Sequence, residues 1–276
     1  MSNIKVNCNK IEISNDNKIC IIAGPCQLET EQHAMDMAGK IQDITKKFGV
    51  GFIYKTSFDK ANRTSLKGKR GAGLDNSLPI FDKIKKELNV PILTDIHNIE
   101  QCSIVAKHVD VLQIPAFLCR QTDLIISAGH SGRPVNVKKG QFLSPTDIVP
   151  IARKLESTGC KDYLFTERGS TFGYNNLVAD MRSLFWIRDQ GYRVVFDATH
   201  SVQRPGGFGD KSSGDGYLAP VLARAAIATG CDGIFIETHP DPKDAKSDGP
   251  NQIPLDKIES LIKKLMAIHT ISRVDN

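Results

Sequence analysis

The chain has 276 residues, 40% of them hydrophobic, which is enough for one large domain or two ordinary ones with a full core. No apolar run approaches the ~18 residues of a membrane span, and the first residues lack the apolar segment of a signal peptide. Seven cysteines without regular spacing favour reduced thiols, so we expect a cytoplasmic protein with no membrane partner. The net charge of +5 does not by itself imply a nucleic-acid partner.

Short apolar runs alternate with longer helical patterns along the chain. Residues 4–6 and 11–13 alternate in polarity around a polar turn and predict an N-terminal β-hairpin. Later apolar runs predict strands at residues 19–23, 52–55, 91–94, 111–114, 134–137, 163–166, 193–196 and 233–236. Helical spacing follows each run, at residues 29–48, 78–88, 99–107, 122–128, 145–157, 177–189, 217–229 and 255–268.

Eight strand-then-helix units follow one another without a break in composition. This order predicts the α/β class and a single (β/α)8 TIM barrel, with residues 1–276 forming one domain. We expect residues 1–17 to form a hairpin that caps the bottom of the barrel, and residues 18–276 to form the barrel itself. The alternative is a doubly wound open sheet, which rarely contains eight such units.

Basic side chains concentrate where the predicted strands end. Residues 55–73 carry six cations against a single Asp59, a local charge of +5. Together with later strand ends, the cations predicted to meet on one rim are Lys55, Lys60, Arg63, Lys138 and Arg168. Such a set is typical of phosphate recognition and is too large for one phosphate, so it predicts two anionic substrates or one doubly charged substrate.

A second set of rim residues has the donor types of a metal site. Cys26, His200, Glu237 and Asp248 follow the first, seventh and eighth predicted strands, which are neighbours in a closed barrel. A thiolate, an imidazole and two carboxylates suit a divalent transition metal. The alternative from residue types alone is that Cys26 is a small buried apolar residue.

Several motifs resemble one enzyme family. They are residues 22–26 (IAGPC), 55–65 (KTSFDKANRTS), 113–122 (QIPAFLCRQT), 135–141 (VNVKKGQ), 166–169 (TERG), 197–203 (DATHSVQ) and 237–240 (ETHP). These motifs look like those of the 3-deoxy-D-manno-octulosonate 8-phosphate synthases, and the resemblance extends over residues 19–254. The family is a homotetrameric TIM barrel that condenses phosphoenolpyruvate with D-arabinose 5-phosphate and water, for lipopolysaccharide (Kdo) biosynthesis.

The resemblance implies roles for individual residues of this chain. The residues expected to bind the two phosphorylated substrates are Lys55, Ser57, Lys60, Asn62, Arg63, Thr64, Asp95, Gln113, Ala116, Lys138 and Arg168. Within this set, Asn62, Arg63 and Thr64 would hold the arabinose phosphate. The residues expected to act in catalysis are Lys60, Asp95, Lys138, His200 and Asp248.

The family has a metal-dependent branch and a metal-free branch, and the metal-free branch has asparagine where this chain has Cys26. An amide is a poor ligand for a transition metal, whereas a thiolate binds tightly. The resemblance therefore implies a divalent metal ion (Zn, Fe, Mn or similar) held by Cys26, His200, Glu237 and Asp248.

Two alternative functions have different sequence signatures. A sister enzyme that uses erythrose 4-phosphate usually has Lys-Pro-Arg, where this chain has Lys60-Ala61-Asn62-Arg63. A non-catalytic polyanion binder could use residues 55–70 as a nucleic-acid patch, but that segment lacks interleaved aromatic residues beyond Phe58. The sequence thus favours arabinose 5-phosphate as the acceptor and no nucleic-acid partner.

Overall fold

The computed structural model describes residues 5–14, 17–62, 68–206 and 213–272. It begins with a hairpin of two short strands, β1 (Val6–Cys8) and β2 (Ile11–Ile13), in which Val6 lies opposite Ile13. Asn9 forms the turn with a φ of 57°, in the left-handed region that asparagine tolerates better than most residues. The predicted hairpin is therefore confirmed.

The described residues contain a closed barrel of eight parallel strands. These strands are β3 (Cys20–Gly24), β4 (Gly51–Lys55), β5 (Ile92–Asp95), β6 (Val111–Ile114), β7 (Val135–Lys138), β8 (Tyr163–Glu167), β9 (Val194–Asp197) and β10 (Gly233–His239). Each strand pairs with the next along the chain, β10 pairs with β3, and pairing of β9 with β10 completes the circle. The predicted (β/α)8 barrel is thus confirmed, and the open sheet is not formed.

Eight helices of the described residues follow the strands. They are α1 (Glu31–Phe48), α2 (Leu74–Leu88), α3 (Ile99–Val105), α4 (Thr122–His130), α5 (Val149–Glu156), α6 (Arg182–Asp189), α7 (Ala219–Thr229) and α8 (Leu255–Ser272). None of the helices in the described ranges is long and apolar enough to cross a membrane.

Several helix boundaries differ from the predicted ones, most clearly those of α2 and α6. Helix α2 begins at Leu74 rather than 78, and Pro79 lies inside it, although proline favours the first helical turn. Residues 177–189 were expected to be one helix, but Leu177–Val178 pairs with Ser170–Thr171 as a short antiparallel strand. Helix α6 begins only at Arg182, whose backbone N–H donates to a side-chain oxygen of Asp180.

The apolar core has two layers. Between strands and helices lies a large cluster that includes Ile21, Phe81 and Leu265. Inside the barrel a second cluster joins hairpin residues such as Val6 and Ile13 to strand residues from around the barrel. Since the hairpin packs into this inner cluster, the interior is closed at one end and the chemistry is confined to the other.

The hairpin caps the end at which the strands begin. The Asn7 backbone N–H donates to Asp162, directly before β8, and the Asn9 side chain donates to Asp110, directly before β6. The opposite end, where the strands finish, is left for polar side chains.

Strands β3 and β4 approach each other closely just before the first candidate ligand. A Cβ on Gly24 would lie 2.0 Å from the Lys55 carbonyl oxygen, so any other residue there would push the strands apart. Glycine at this position therefore allows the chain to reach Cys26 beside the end of β4.

Candidate active site

The predicted site residues gather around the end of the barrel where the strands finish. A cavity of about 1640 Å³ opens there, and the predicted residues that line it are Lys55, Lys60, Asn62, Asp95, Ala116, Lys138, Arg168, His200 and Asp248. The predicted residues that are almost wholly buried next to this group are Cys26, Ser57, Gln113 and Glu237. The predicted Arg63 and Thr64 lie outside the described residues.

Three of the four predicted metal ligands lie together. One ligand atom from each of Cys26, Glu237 and Asp248 lies within 4.8 Å of the other two. The Cys26 Sγ is 3.2 Å from an oxygen of Asp248 and 3.1 Å from the Ser247 hydroxyl. Asp248 has a φ of 50°, in the left-handed region that aspartate adopts more readily than most residues. The loop after β10 thus places a carboxylate beside Cys26, in the segment that follows the first barrel strand, β3.

The fourth predicted ligand, His200, approaches this group from the side. Its Nε2 is 3.5 Å from Glu237 Oε2, although His200 is not among the three residues whose ligand atoms all lie within 4.8 Å. The other ring nitrogen, Nδ1, is 2.7 Å from Asp197 Oδ2. Because Asp197 accepts the hydrogen bond from Nδ1–H, Nε2 is the nitrogen that faces Glu237 and that would bind a metal ion in the neutral ring.

Asp197 is a functional candidate that the sequence analysis did not include. It is fully buried at the end of β9, and its Oδ2 also lies 2.5 Å from the Lys138 ammonium nitrogen. Burial raises the pKa of Asp197, but His200 and Lys138 outweigh burial and hold it well below its ordinary value. Its place at the last residue of a barrel strand was the available signal, because such residues point toward the site.

Glu237 is surrounded by cations. Its Oε1 is 2.7 Å from the Lys55 ammonium nitrogen and 3.9 Å from that of Lys60. Burial raises the pKa of Glu237, but His200 and Lys55 lead a group of cations that hold it below its ordinary value. Lys55 also donates to the Cys26 carbonyl and is only 1% exposed. Its positive charge is therefore balanced by Glu237 inside the protein.

Lys138 is a buried ammonium group on the cavity wall. Its nitrogen lies 3.8 Å from the centre of the Phe235 ring, a cation–π contact, in addition to its ion pair with Asp197. Burial lowers the pKa of Lys138, and Asp197 compensates only in part. For Lys60, burial also acts to lower the pKa, but the acidic groups around it raise it above its ordinary value.

A relay of side-chain hydrogen bonds runs across four strands, from β8 to Asp95 at the end of β5. Asp95 accepts from the Ser57 hydroxyl and, at 2.6 Å, from the Gln113 amide. The Asn136 amide donates to Gln113, and the Thr166 hydroxyl donates to Asn136, each at 2.8 Å. Gln113 and Ser57, which are predicted to bind substrate, thus also hold Asp95 in place through these hydrogen bonds.

The pKa of Asp95 reflects its cationic surroundings. Burial raises that pKa, but the ammonium groups of Lys55 and Lys60 lead a set of charges that hold it below its ordinary value. Asp95 is therefore an anion that lines the cavity and can accept hydrogen bonds from a polyhydroxylated ligand.

Arg168 extends the cationic lining on the opposite side. One terminal nitrogen donates to the His200 carbonyl at 2.9 Å and to the Gln203 side chain at 2.6 Å. The Nε of Arg168 is buried and has no hydrogen-bond partner among the described residues. A guanidinium that is fixed through one terminal nitrogen and has further N–H donors available is suited to binding a phosphate or carboxylate.

This arrangement defines a class of protein. A closed (β/α)8 barrel with buried cations and carboxylates at the finishing ends of its strands is a barrel enzyme for small anionic substrates.

Comparisons with known proteins narrow the class. The sequence model of the DAHP synthetase I family matches residues 3–272. A 2-dehydro-3-deoxyphosphooctonate aldolase of Chelativorans sp. is 55% identical over 271 residues, covering 98% of both chains. Proteins of the same name from Brucella anthropi and Brucella ovis are 55% and 54% identical over 272 residues, covering 99% of this chain and 98% of theirs.

The chain belongs to the DAHP synthetase I family and, within it, to the 2-dehydro-3-deoxyphosphooctonate aldolases, also called 3-deoxy-D-manno-octulosonate 8-phosphate synthases. The family assignment made from the sequence motifs is thereby confirmed.

Proposed function

We propose that this chain condenses phosphoenolpyruvate with D-arabinose 5-phosphate and water, forming 3-deoxy-D-manno-octulosonate 8-phosphate and inorganic phosphate. The observation that carries the proposal is the cationic cavity of a chain that is 55% identical, over 98% of its length, to an enzyme named for this product. The reaction is a transferase step of aldol type, and the product serves lipopolysaccharide (Kdo) biosynthesis.

The reaction forms one carbon–carbon bond and one carbon–oxygen bond, and it breaks one carbon–oxygen bond. C3 of phosphoenolpyruvate attacks the aldehyde carbon of the sugar, and the oxygen of a water molecule bonds to C2. The bond between C2 and the phosphate oxygen then breaks, and inorganic phosphate leaves with that oxygen. Negative charge is present on both substrates throughout, so the site must stabilise it before and during the reaction.

The cavity residues have complementary tasks in this reaction. Lys60, Lys138 and Arg168 supply positive charge for the phosphate and carboxylate of phosphoenolpyruvate. Asp95 accepts hydrogen bonds from hydroxyl groups of the sugar, and Asn62 lies on the cavity wall where the sugar phosphate would bind. Holding two mutually repelling anions side by side contributes to rate by positioning, and this requires the fixed cations.

The donor set fits a divalent transition metal. Cys26, Glu237 and Asp248 offer ligand atoms within 4.8 Å of one another, and His200 presents Nε2 toward Glu237. Burial raises the pKa of the Cys26 thiol, and Glu237 raises it further, so a bound cation would have to displace its proton. When bound by these four residues, a Zn, Fe, Mn or similar ion would polarise the sugar aldehyde or orient the reacting water.

Acceptor choice tests the proposed reaction. We expect kcat/KM for arabinose 5-phosphate to exceed that for erythrose 4-phosphate by at least about 100-fold, because a site built to bond the additional hydroxyl group rejects an acceptor that lacks it. The measurement is phosphate release from phosphoenolpyruvate with each aldose. A preference for erythrose 4-phosphate would support the reaction of the sister enzyme instead. That reaction is the alternative because the matched family model is that of the DAHP synthetase I family.

RNA binding tests the alternative that the chain is a non-catalytic polyanion binder. RNA binding by the basic segment of residues 55–70, without phosphate release from either substrate pair, would favour the polyanion binder.

Metal removal tests the proposed cofactor. We expect a chelator to abolish phosphate release and added Mn²⁺ or Zn²⁺ to restore it, while Cys26→Ala loses both bound metal and activity. Cys231→Ala is the matched control, because Cys231 is also a free, buried cysteine but lies at the opposite end of β10. Undiminished activity in metal-stripped protein with excess chelator would place this chain in the metal-free branch.

The resemblance also suggests a homotetramer in the cytoplasm, and a chain that forms one domain over residues 1–276. Exposed aromatic side chains, Phe142 at 59% and Phe172 at 71%, are surface that assembly could cover. Light scattering after size-exclusion chromatography would measure the assembly, and a single calorimetric transition would support one domain.

A further inference from the structure

A second group of metal-binding side chains lies outside the site described above. Glu29, His33 and His239 each offer a ligand atom, and these atoms all lie within 4.8 Å of one another. Glu29 precedes helix α1, His33 lies in its first turn, and His239 is the last residue of strand β10. The three residues thus join the first helix to the end of the last strand.

The hydrogen bonds of His239 determine which of its nitrogens is available. Its Nδ1 is 2.5 Å from the Asp241 carbonyl oxygen, which can only accept. The Asp241 amide nitrogen is 3.1 Å from the same atom, but the shorter contact with the carbonyl requires the proton to be on Nδ1. In the neutral ring the Nε2 lone pair then faces Glu29 Oε1 at 3.6 Å and is available to a metal ion, whereas in the doubly protonated ring the same contact is an ion pair.

The ring nitrogens of His33 are also candidate ligand atoms. Both of its ring nitrogens are buried, and neither has a hydrogen-bond partner among the described residues. Its ring lies beside that of His239, with centroids 4.9 Å apart. Buried imidazole nitrogens without partners cost free energy unless something binds them.

We propose that Glu29, His33 and His239 bind a divalent transition-metal ion of the zinc class. Two imidazoles and one carboxylate are a common ligand set for such ions, with a remaining position for water. Supporting hydrogen bonds are in place: the Asp241 carbonyl fixes the tautomer of His239, and the Lys246 backbone N–H donates to Glu29 Oε1 at 3.0 Å.

The role of this second metal site is structural. Asp241 and Lys246 belong to the loop between β10 and Asp248, so the ion would fasten that loop to the start of α1. Asp248 is a proposed ligand of the active-site metal, and the second site would limit the movement of the segment that carries it. The second site contains no sulfur, which separates it chemically from the site of Cys26.

Cobalt titration tests the proposal directly. Metal-stripped, full-length protein is titrated with Co²⁺ while bound equivalents are counted by calorimetry and the thiolate-to-cobalt absorption band is recorded. We expect two equivalents, of which only one produces the thiolate band. Cys26→Ser should lose the band and keep one equivalent, whereas His33→Gln should keep the band and lose one equivalent.

The controls separate this site from ordinary surface binding. His108→Gln removes a histidine that pairs with Asp82 on the surface, and it should retain two equivalents. Glu29→Gln repeats the test should His33→Gln fail to fold, as judged by circular dichroism, and its affinity for the second ion should fall more than ~10-fold.

Equal stoichiometry in wild type, His33→Gln and Glu29→Gln would overturn the proposal, as would Cys26→Ser protein that binds no cobalt. Either result would mean that His239 and Glu29 form only an ion pair. The outcome does not depend on which sugar the enzyme uses, so it is separable from the acceptor test.

Discussion

Replacing Asp197 by asparagine perturbs the centre of the candidate site without changing its size. The carboxylate accepts hydrogen bonds from Lys138 at 2.5 Å, from the His200 ring at 2.7 Å and from the His200 backbone at 2.9 Å. It also accepts from the Thr199 hydroxyl at 3.1 Å. An amide nitrogen cannot accept, so Asp197→Asn leaves Lys138 or His200 facing another donor and removes the only charge on this side chain.

The size of the effect follows from burial. Removing one partner of a buried ion pair typically costs about 3–5 kcal/mol, because the remaining charge has no counterion. Asp197 is 0% exposed and the Lys138 side chain only 8%, so we expect the free energy of unfolding to fall by about this amount. Loss of the group that orients His200 should also lower metal affinity or turnover about 10–100-fold.

Urea unfolding followed by circular dichroism measures the stability change, and phosphate release measures turnover. Asp180→Asn is the matched control, because Asp180 pairs with Arg182 on the surface, where its side chain is 38% exposed. Exposed pairs contribute about 0–1 kcal/mol, so the control should change little. A loss below about 1 kcal/mol in Asp197→Asn, with unchanged turnover, would refute the reasoning.

Two further predictions concern stability. Because the pKa of Asp95 is held below its ordinary value, its contribution to stability is complete above the unfolded-state pKa of about 3.9 and is lost as the pH falls below it. Unfolding free energies measured across acid pH should therefore fall less steeply for Asp95→Asn than for wild type, and equal slopes would contradict the prediction. Ile13→Ala, at 1% exposure in the inner cluster, should cost about 2–5 kcal/mol without changing kcat, whereas Ile271→Ala, at 72% exposure, should cost under about 0.5 kcal/mol. Denaturant midpoints compare the two, and a fall in kcat for Ile13→Ala would show that the hairpin reaches the chemistry.

The barrel could be predicted from sequence because its signals are local. Each strand is a short apolar run, and each helix repeats its apolar residues with the helical period. The boundaries were less accessible: the apolar spacing predicted the second helix only from residue 78, whereas α2 begins at Leu74, and the strand at Leu177–Val178 depends on a partner segment rather than on its own pattern. Pairing partners are a tertiary property, which periodicity does not report.

Which residues belong to the site could be predicted from the sequence, but which of them contact one another could not. Residues at strand ends could be collected from the sequence, and nearly all of the described ones meet at one cavity. Which cation faces which anion could not be read, because Lys55 and its partner Glu237 are 182 residues apart. Lys55 lines the cavity as a predicted substrate-binding residue, and the structure adds that its charge is paired with Glu237.

The relay that ends at Asp95 has a direction, and the charge of one residue sets it. Because an ionised carboxylate can only accept, Gln113 must turn its NH₂ toward Asp95 and its oxygen toward Asn136. Asn136 must then present its own NH₂ to Gln113, so its oxygen is left for the Thr166 hydroxyl. The dipoles of the two side-chain amides therefore point in the same direction along the relay, with their NH₂ groups toward Asp95. Neutralising that single carboxylate would free two amides on other strands to rotate, so the ionisation state of one strand tip is communicated across half of the barrel wall.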